Sequence, residues 1–322
     1  MAAVFQKYKT KRLVLALAMF NATADPALTV GEDYIAAGET PLYIQTKNAT
    51  INLQVEQLDR ELDDATLGYK EQLLVGHHFT IECEVEIAGR GTSNSGSAST
   101  PSAYAGLIQM AGFDQDVSSG THVDHTQLDD DSWIDGTIYF YAAGRSHKLL
   151  NAQAEWGVNI SNGAVGVFPV TITGIYGGVA SASFPAITFN QAKPVKVGNQ
   201  YTTFTMDGTE YALVNFSLNQ NNEVNYTDLP GYEGVSIDDI APEGEIEILA
   251  PAHGDFDPFA IVRAENQALL PVSVVHGTTA TNIVTISNPE IQILGVGYGD
   301  FEGKRTFVMP FGGIGKTQIR TA

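Results

Sequence analysis

Cysteine is nearly absent from this chain. Cys83 is the single one in 322 residues, so no intrachain disulfide can form and a disulfide-stapled secreted scaffold is excluded. Basic residues are scarce as well: 17 Lys and Arg stand against 37 Asp and Glu, a formal charge of −20. Gripping nucleic-acid phosphates needs Lys and Arg to displace counterions, so a nucleic-acid-binding groove is excluded, and an anionic membrane surface is an equally poor partner. No apolar run approaches the ~18–20 residues of a transmembrane helix. Convincing helical periodicity is limited to two short segments, Ala105–Ala111 and Pro258–Ala264, the second opened by a proline near its first turn.

What is present is strand chemistry. The chain is 43% hydrophobic and carries 32 glycines, enough for two cores of ordinary domain size with many turns. Phe79-Thr-Ile-Glu-Cys-Glu-Val-Glu-Ile87 alternates strictly. That pattern puts Phe79, Ile81, Cys83, Val85 and Ile87 on one face and Glu82, Glu84 and Glu86 on the other. Cys83 is thereby expected as a small core residue and not as a nucleophile. Asp207-Gly208 between two apolar runs signals a hairpin. Leu13–Phe20, behind Lys7, Lys9, Lys11 and Arg12 and before Ala22-Thr-Ala24, reads either as a first strand behind a basic arm or as a signal peptide. The strand is the preferred reading.

The chain also repeats itself. A shift of 163 residues lays Ile51, Leu53 and Val55 over Val214, Phe216 and Leu218, and Gly68-Tyr69 over Gly231-Tyr232. The same shift lays Glu82 and Glu84 over Glu245 and Glu247, with Cys83 and Val85 over Ile246 and Ile248. Beyond the gapless stretch the order persists, with Ile138–Gly174 matching Val272–Gly312. Repeats of this kind define the fold before any motif does. The expected division is an N-terminal arm and first strand over 1–40, a first lobe over 41–182, a linker over 183–203, a second lobe over 204–315 and a tail over 316–322. The first lobe carries two insertions, a Gly/Ser-rich loop over 89–102 and a polar stretch over 114–135. Each lobe also holds a long polar segment between two strands, Gln57–His77 and Asn219–Glu243. Structureless loops of that length are uncommon unless functional.

Catalytic and ligand motifs mostly fail. Phe311-Gly-Gly-Ile-Gly-Lys-Thr317 ends like a phosphate-binding loop, but Pro310 stands where its first glycine belongs and five residues remain for the helix it needs. Gly89-Arg-Gly91 lacks the third glycine of a dinucleotide fingerprint. His122-Val-Asp-His125 fits neither a zincin helix nor an EF-hand loop. Paired carboxylates for glycosidase chemistry have no marker residue, and Trp156 in Ala154-Glu-Trp-Gly-Val158 reads as strand packing. No enzyme and no cofactor are expected.

The run Phe79–Gly91, followed by a Ser/Gly loop and Pro101–Phe113, resembles the tail tube (major tail) proteins of long non-contractile-tailed bacteriophages. So do Gly136–Leu149 and Pro169–Tyr176, and in the second half Ile240–Ile248 and Val275–Ile286. The resemblance covers roughly Val30 to Gly313. It implies a mostly β fold of two tandem tail-tube-type β-sandwich or barrel lobes, each with a short helix, plus an extended N-terminal arm. It implies inner sheets joined between neighbours into a closed barrel. Three double-lobe chains would form a pseudo-hexameric ring, and rings would stack into a conduit for the genome. The implied partners are other copies, a tape measure inside, terminator and tip proteins at the ends, and DNA that passes without adhering, with no membrane. The implied location is the virion tail, assembled in the bacterial host cytoplasm. By the same resemblance the long segments and the basic arm are the ring-stacking candidates: Lys7, Lys9, Lys11, Arg12, Asp59, Arg60, Glu61, Asp63, Tyr69, Asn222, Tyr226 and Tyr232. Glu82, Glu84, Glu86, Glu245 and Glu247 face either the lumen or the outer solvent. A secreted or surface β-sandwich adhesin or carbohydrate-binding protein is the alternative, and it would lose residues 1–24 on export.

Overall fold

Alternation builds the strands and the strands bury what alternation predicts. In the computed structural model, which describes residues 13–19, 31–59, 71–90, 101–118, 121–129, 132–187, 189 and 191–322, Ile81 and Val85 are fully buried while Glu82 between them is exposed. The chain opens with β1 (Leu13–Met19), a short α1 (Tyr34–Ala37), β2 (Leu42–Ile44), β3 (Lys47–Leu58), β4 (Leu73–Glu86) and α2 (Ala105–Met110). There follow β5 (Phe113–Ser118), β6 (His122–Gln127), β7 (Gly136–Ala142), β8 (Arg145–Ser161) and β9 (Val167–Ser181). The second part holds β10 (Thr202–Met206), β11 (Thr209–Tyr211), β12 (Leu213–Asn219), β13 (Asn222–Leu229), β14 (Tyr232–Ile240) and β15 (Glu243–Leu249). It closes with α3 (Pro258–Arg263), β16 (Leu270–His276), β17 (Val284–Ile293), β18 (Gly297–Phe301), β19 (Lys304–Gly313) and β20 (Gln318–Thr321).

The protein is mostly β, and 18 strands join in one antiparallel network while β13 and β14 form a separate pair. Pairings recur in the same order along the chain. β1 lies between β2 and β7, and β10 between β11 and β16. β4 lies between β3 and β9, and β15 between β12 and β19. β7–β8 and β8–β9 are matched by β16–β17 and β17–β19. The register adjusts one expected match. Gly174 stands opposite Phe79, whose shifted counterpart is Pro242, and the Pro242 carbonyl accepts from Gly313 N–H, so Gly313 and not Gly312 answers Gly174.

The segment Leu13–Met19 is strand β1. The Asp207-Gly208 hairpin forms with φ of 49° and 72° at the two turn residues, both in the left-handed region where Gly and Asp are tolerated. α3 is capped by Asp257, whose Oδ1 accepts from Phe259 and Ala260 N–H at 3.1 and 3.2 Å.

Three expectations change. The polar stretch 114–135 is largely a hairpin, β5–β6, and β6 pairs with β20. Residues 318–321, expected in a tail, are therefore strand, bonded to β17 on one side and β6 on the other. Asn219–Glu243 is no loop: β13–β14 is a hairpin whose own ladder satisfies its backbone. In the first part the ladder runs out to Leu58 opposite Leu73, which shortens the connecting segment.

Candidate functional site

One sheet crosses the whole chain. β8 pairs with β9 on one edge, and its last residues pair with β12 on the other, Asn215 opposite Ser161 through Asn219 opposite Gly157. The strands β3, β4, β9, β8, β12, β15 and β19 thus lie side by side, with β18 and the end of β17 beyond β19. One face of this sheet is core: Ile81, Ile172, Ala154, Trp156, Phe216, Ile246, Met309 and Ile291 are all at most 2% exposed. The other face is polar and open, as an antiparallel sheet permits.

The register places the acidic residues on that open face. Glu82 stands opposite Thr50 and Thr171, and Thr171 opposite Glu155. Across the β8–β12 junction, Glu245 stands opposite Ser217 and Pro310, with Glu243 and Glu247 two positions to either side. Glu82, Glu84, Glu86, Glu245 and Glu247 therefore share one surface. Glu155 and Glu243 join them and were not singled out from the sequence, although Ala154-Glu-Trp-Gly-Val158 and Glu243-Gly-Glu-Ile-Glu247 carry the same alternation. Asn219 Nδ2 donates to Glu155 Oε1 at 2.9 Å and bridges the junction. Lys47 approaches Glu84 at 3.9 Å with its side chain 54% exposed, too weak a pair to neutralise the surface.

The stacking candidates separate. Lys7, Lys9, Lys11, Arg12, Arg60, Glu61, Asp63 and Tyr69 lie outside the described residues. Asp59 is exposed and accepts from Gln72. Tyr232 is 57% exposed at the β13–β14 turn beside Leu229. Asn222 requires correction as a stacking residue. It is buried, and its Nδ2 donates to the carbonyls of Ala111 and Ala154, both at 2.8 Å, so its amide is committed inside the chain. Tyr226 is half-buried on β13, stacked on His78 at 4.5 Å and donating to Glu233 at 2.8 Å in an exposed hydrogen bond. The β13–β14 hairpin leaves β12 and packs over β8, β9 and β4, held further by Val235 N–H donating to Asn151 Oδ1 at 2.7 Å.

The remaining motifs are structural where they are described. His122 and His125 do not converge: His125 is buried on β6, while Asp124 is held by Arg320. Among the described residues no three His, Cys, Asp or Glu side chains gather as a metal site. Thr317 is followed by β20 and not by a helix, so no phosphate cradle forms. Trp156 packs between Phe113 and Phe168 at 5.6 and 5.1 Å. Burial pushes the Cys83 thiol up to about 12, an unreactive state.

Two edges of the acidic sheet are bare. Among the described residues the outer edge of β3 and the outer edge of β18 have no backbone partner. Leu53 on β3 and Tyr298 on β18 are 49% and 60% exposed there. Unpaired apolar edges of this kind are templates for strand addition. No protein-family model matches this chain, and no curated protein matches it.

Proposed function

We propose that this chain is the structural, non-catalytic subunit of a bacteriophage tail tube, built from two tandem tail-tube-type lobes. Three copies close a pseudo-hexameric ring, and rings stack into a hollow conduit for genome delivery within the virion tail. The observation that carries this reading is the single sheet running through both halves, acidic on its open face and bare at both ends. A sheet that is open at both edges and buried on one face is completed by closing on further copies of itself.

Simple geometry favours three copies. Strands about 4.8 Å apart and tilted by about 40° give a closed barrel of eight strands a backbone diameter of roughly 16 Å, which side chains fill. Tripling the strands gives roughly 48 Å, and lining side chains leave a bore wide enough for duplex DNA. The acidic face then has a use. Glu82, Glu84, Glu86, Glu155, Glu243, Glu245 and Glu247 would line the bore and repel phosphates, so that DNA passes without sticking. Tyr232 and Leu229 at one hairpin turn, and Leu58 and Leu73 near the other, remain for contact with neighbouring copies. Other tail proteins would meet the tube inside and at its ends.

Electron microscopy of the purified protein tests the reading. Hollow tubes or rings with three-fold symmetry are expected. Stable monomers that bind sugars would replace it with the adhesin.

A further inference from the structure

Within the acidic sheet the described residues join the two halves at β8–β12, and the bare edges are the two sides of that junction left open. β12 occupies the edge of β8, with Leu218 opposite Val158 and Phe216 opposite Ile160. The shifted counterpart of β12 is β3, where Val55 answers Leu218 and Leu53 answers Phe216. The counterpart of the end of β8 is β18. Phe307 stands opposite Ile248 as Phe168 stands opposite Val85, and Tyr298 stands opposite Phe307 as Val158 does opposite Phe168. The turns that follow agree, with Gly163 and Gly303 at φ of 79° and 78°. Burial measures what is missing. Phe216 and Val158 are each 2% exposed inside the junction, whereas Leu53 and Tyr298 are 49% and 60% exposed at the open edges.

We infer that β3 of one copy pairs antiparallel with β18 of the next in the register the β8–β12 junction displays. Val55 then stands opposite Tyr298, Leu53 opposite Asp300 and Asn52 opposite Phe301. A clasp accompanies the ladder. In the internal junction the hairpin leaving β12 folds laterally over β8 and β9. The outer end of the β3–β4 hairpin, with Leu58, Leu73 and Leu74 about half exposed, is placed to fold in the same way over the next copy, where Leu269 and Ile314 are exposed at the matching end. The second copy is the occupant because its free β18 edge is the repeat counterpart of the β8 edge that β12 pairs with inside the chain. The inference rests on the ring reading above and adds to it which strands meet, in which register, and that the first hairpin clasps sideways within a ring.

Cysteine pairing tests it. Directly opposed strand residues lie within disulfide reach, with Cα atoms about 4.5–5.5 Å apart. The variant Val55→Cys with Tyr298→Cys is expected to give reducible dimers and closed trimers under mild oxidation. Ile51→Cys with Tyr298→Cys, displaced by about 13 Å along the strand, is expected to stay uncrosslinked. Leu53→Lys is expected to abolish rings while leaving the far-ultraviolet circular dichroism of the chain unchanged, and Leu73→Lys with Leu74→Lys to weaken them. Rings seen by microscopy without the Val55–Tyr298 crosslink, or with equal crosslinking of the displaced pair, would overturn the register and leave the ring reading standing. Assembly of Leu53→Lys at the wild-type level would do the same. Absence of any oligomer of the wild-type chain would overturn both.

Discussion

Arg320 holds Asp124 by both carboxylate oxygens, Nε to Oδ1 at 2.7 Å and Nη2 to Oδ2 at 2.8 Å, although 196 residues separate them. The two residues stand opposite each other on β20 and β6, so the pair fastens the hairpin inserted in the first half to the last strand of the second. The guanidinium holds the Asp124 carboxyl below its ordinary range. Lys316 and Asp129, 2.9 Å apart, add an exposed pair at the same seam.

Breaking that clasp should loosen the seam more than the fold. Asp124→Ala is expected to destabilise by about 1–2 kcal/mol, the scale of a partly exposed bidentate pair. A double-mutant cycle with Arg320→Ala, read by urea denaturation, isolates the coupling. Additive effects would show that the paired backbone alone holds the seam.

Acid should weaken the same region before it protonates the carboxylates. Burial of His125 pushes its imidazole down to about 4, below the ordinary 6.5. The unfolded chain therefore binds the proton first, and stability falls as pH drops from about 6.5 to about 4. Asp124 acts in a lower window. Its folded value is depressed, so its contribution is complete above the ordinary carboxylate value of 3.8 and is lost as pH falls through the folded one. His125→Gln should flatten the upper slope, measured as unfolding free energy between pH 7 and pH 4.

Asn222 anchors the β13–β14 hairpin from below. Asn222→Ala leaves the carbonyls of Ala111 and Ala154 without their side-chain donor and should cost about 2–3 kcal/mol. Hydrogen exchange should locate the loss. Protection is expected to fall first at Val235 and Ile237, the buried residues of β14 in the hairpin itself, while the β15 amides keep theirs.

The acidic face should govern DNA transit and not folding. Replacing Glu82, Glu155 and Glu245 with lysine changes side chains that point away from the core, so the melting temperature should move little. Assembled variants should retain duplex DNA at low salt and release it as salt rises, with a steeper logarithmic dependence for each added lysine. Tubes of the unaltered chain that retain DNA equally well would remove the proposed role of these glutamates.

Much of this was legible along the chain. Alternation around Cys83 determined which residues are core and which are open. The Asp207-Gly208 pair determined a hairpin, and the shift of 163 residues determined that strand pairs would recur. These are local properties: side-chain period, turn stereochemistry and helix capping depend on neighbours a few residues away. Even Glu155 and Glu243 could have been placed by the alternation around them.

Pairing between distant segments depends on which edges meet, and no local pattern encodes that. Only the tertiary structure decided that β8 hands its edge to β12, turning two sets of strands into one acidic surface. It alone joined Asp124 to Arg320, and it sent Asn222 inward. The reason is the same in each case. An edge strand offers equivalent backbone donors and acceptors to any partner, and the choice is made by the apolar faces that the pairing buries, here Phe216 and Leu218 against Ile160 and Val158.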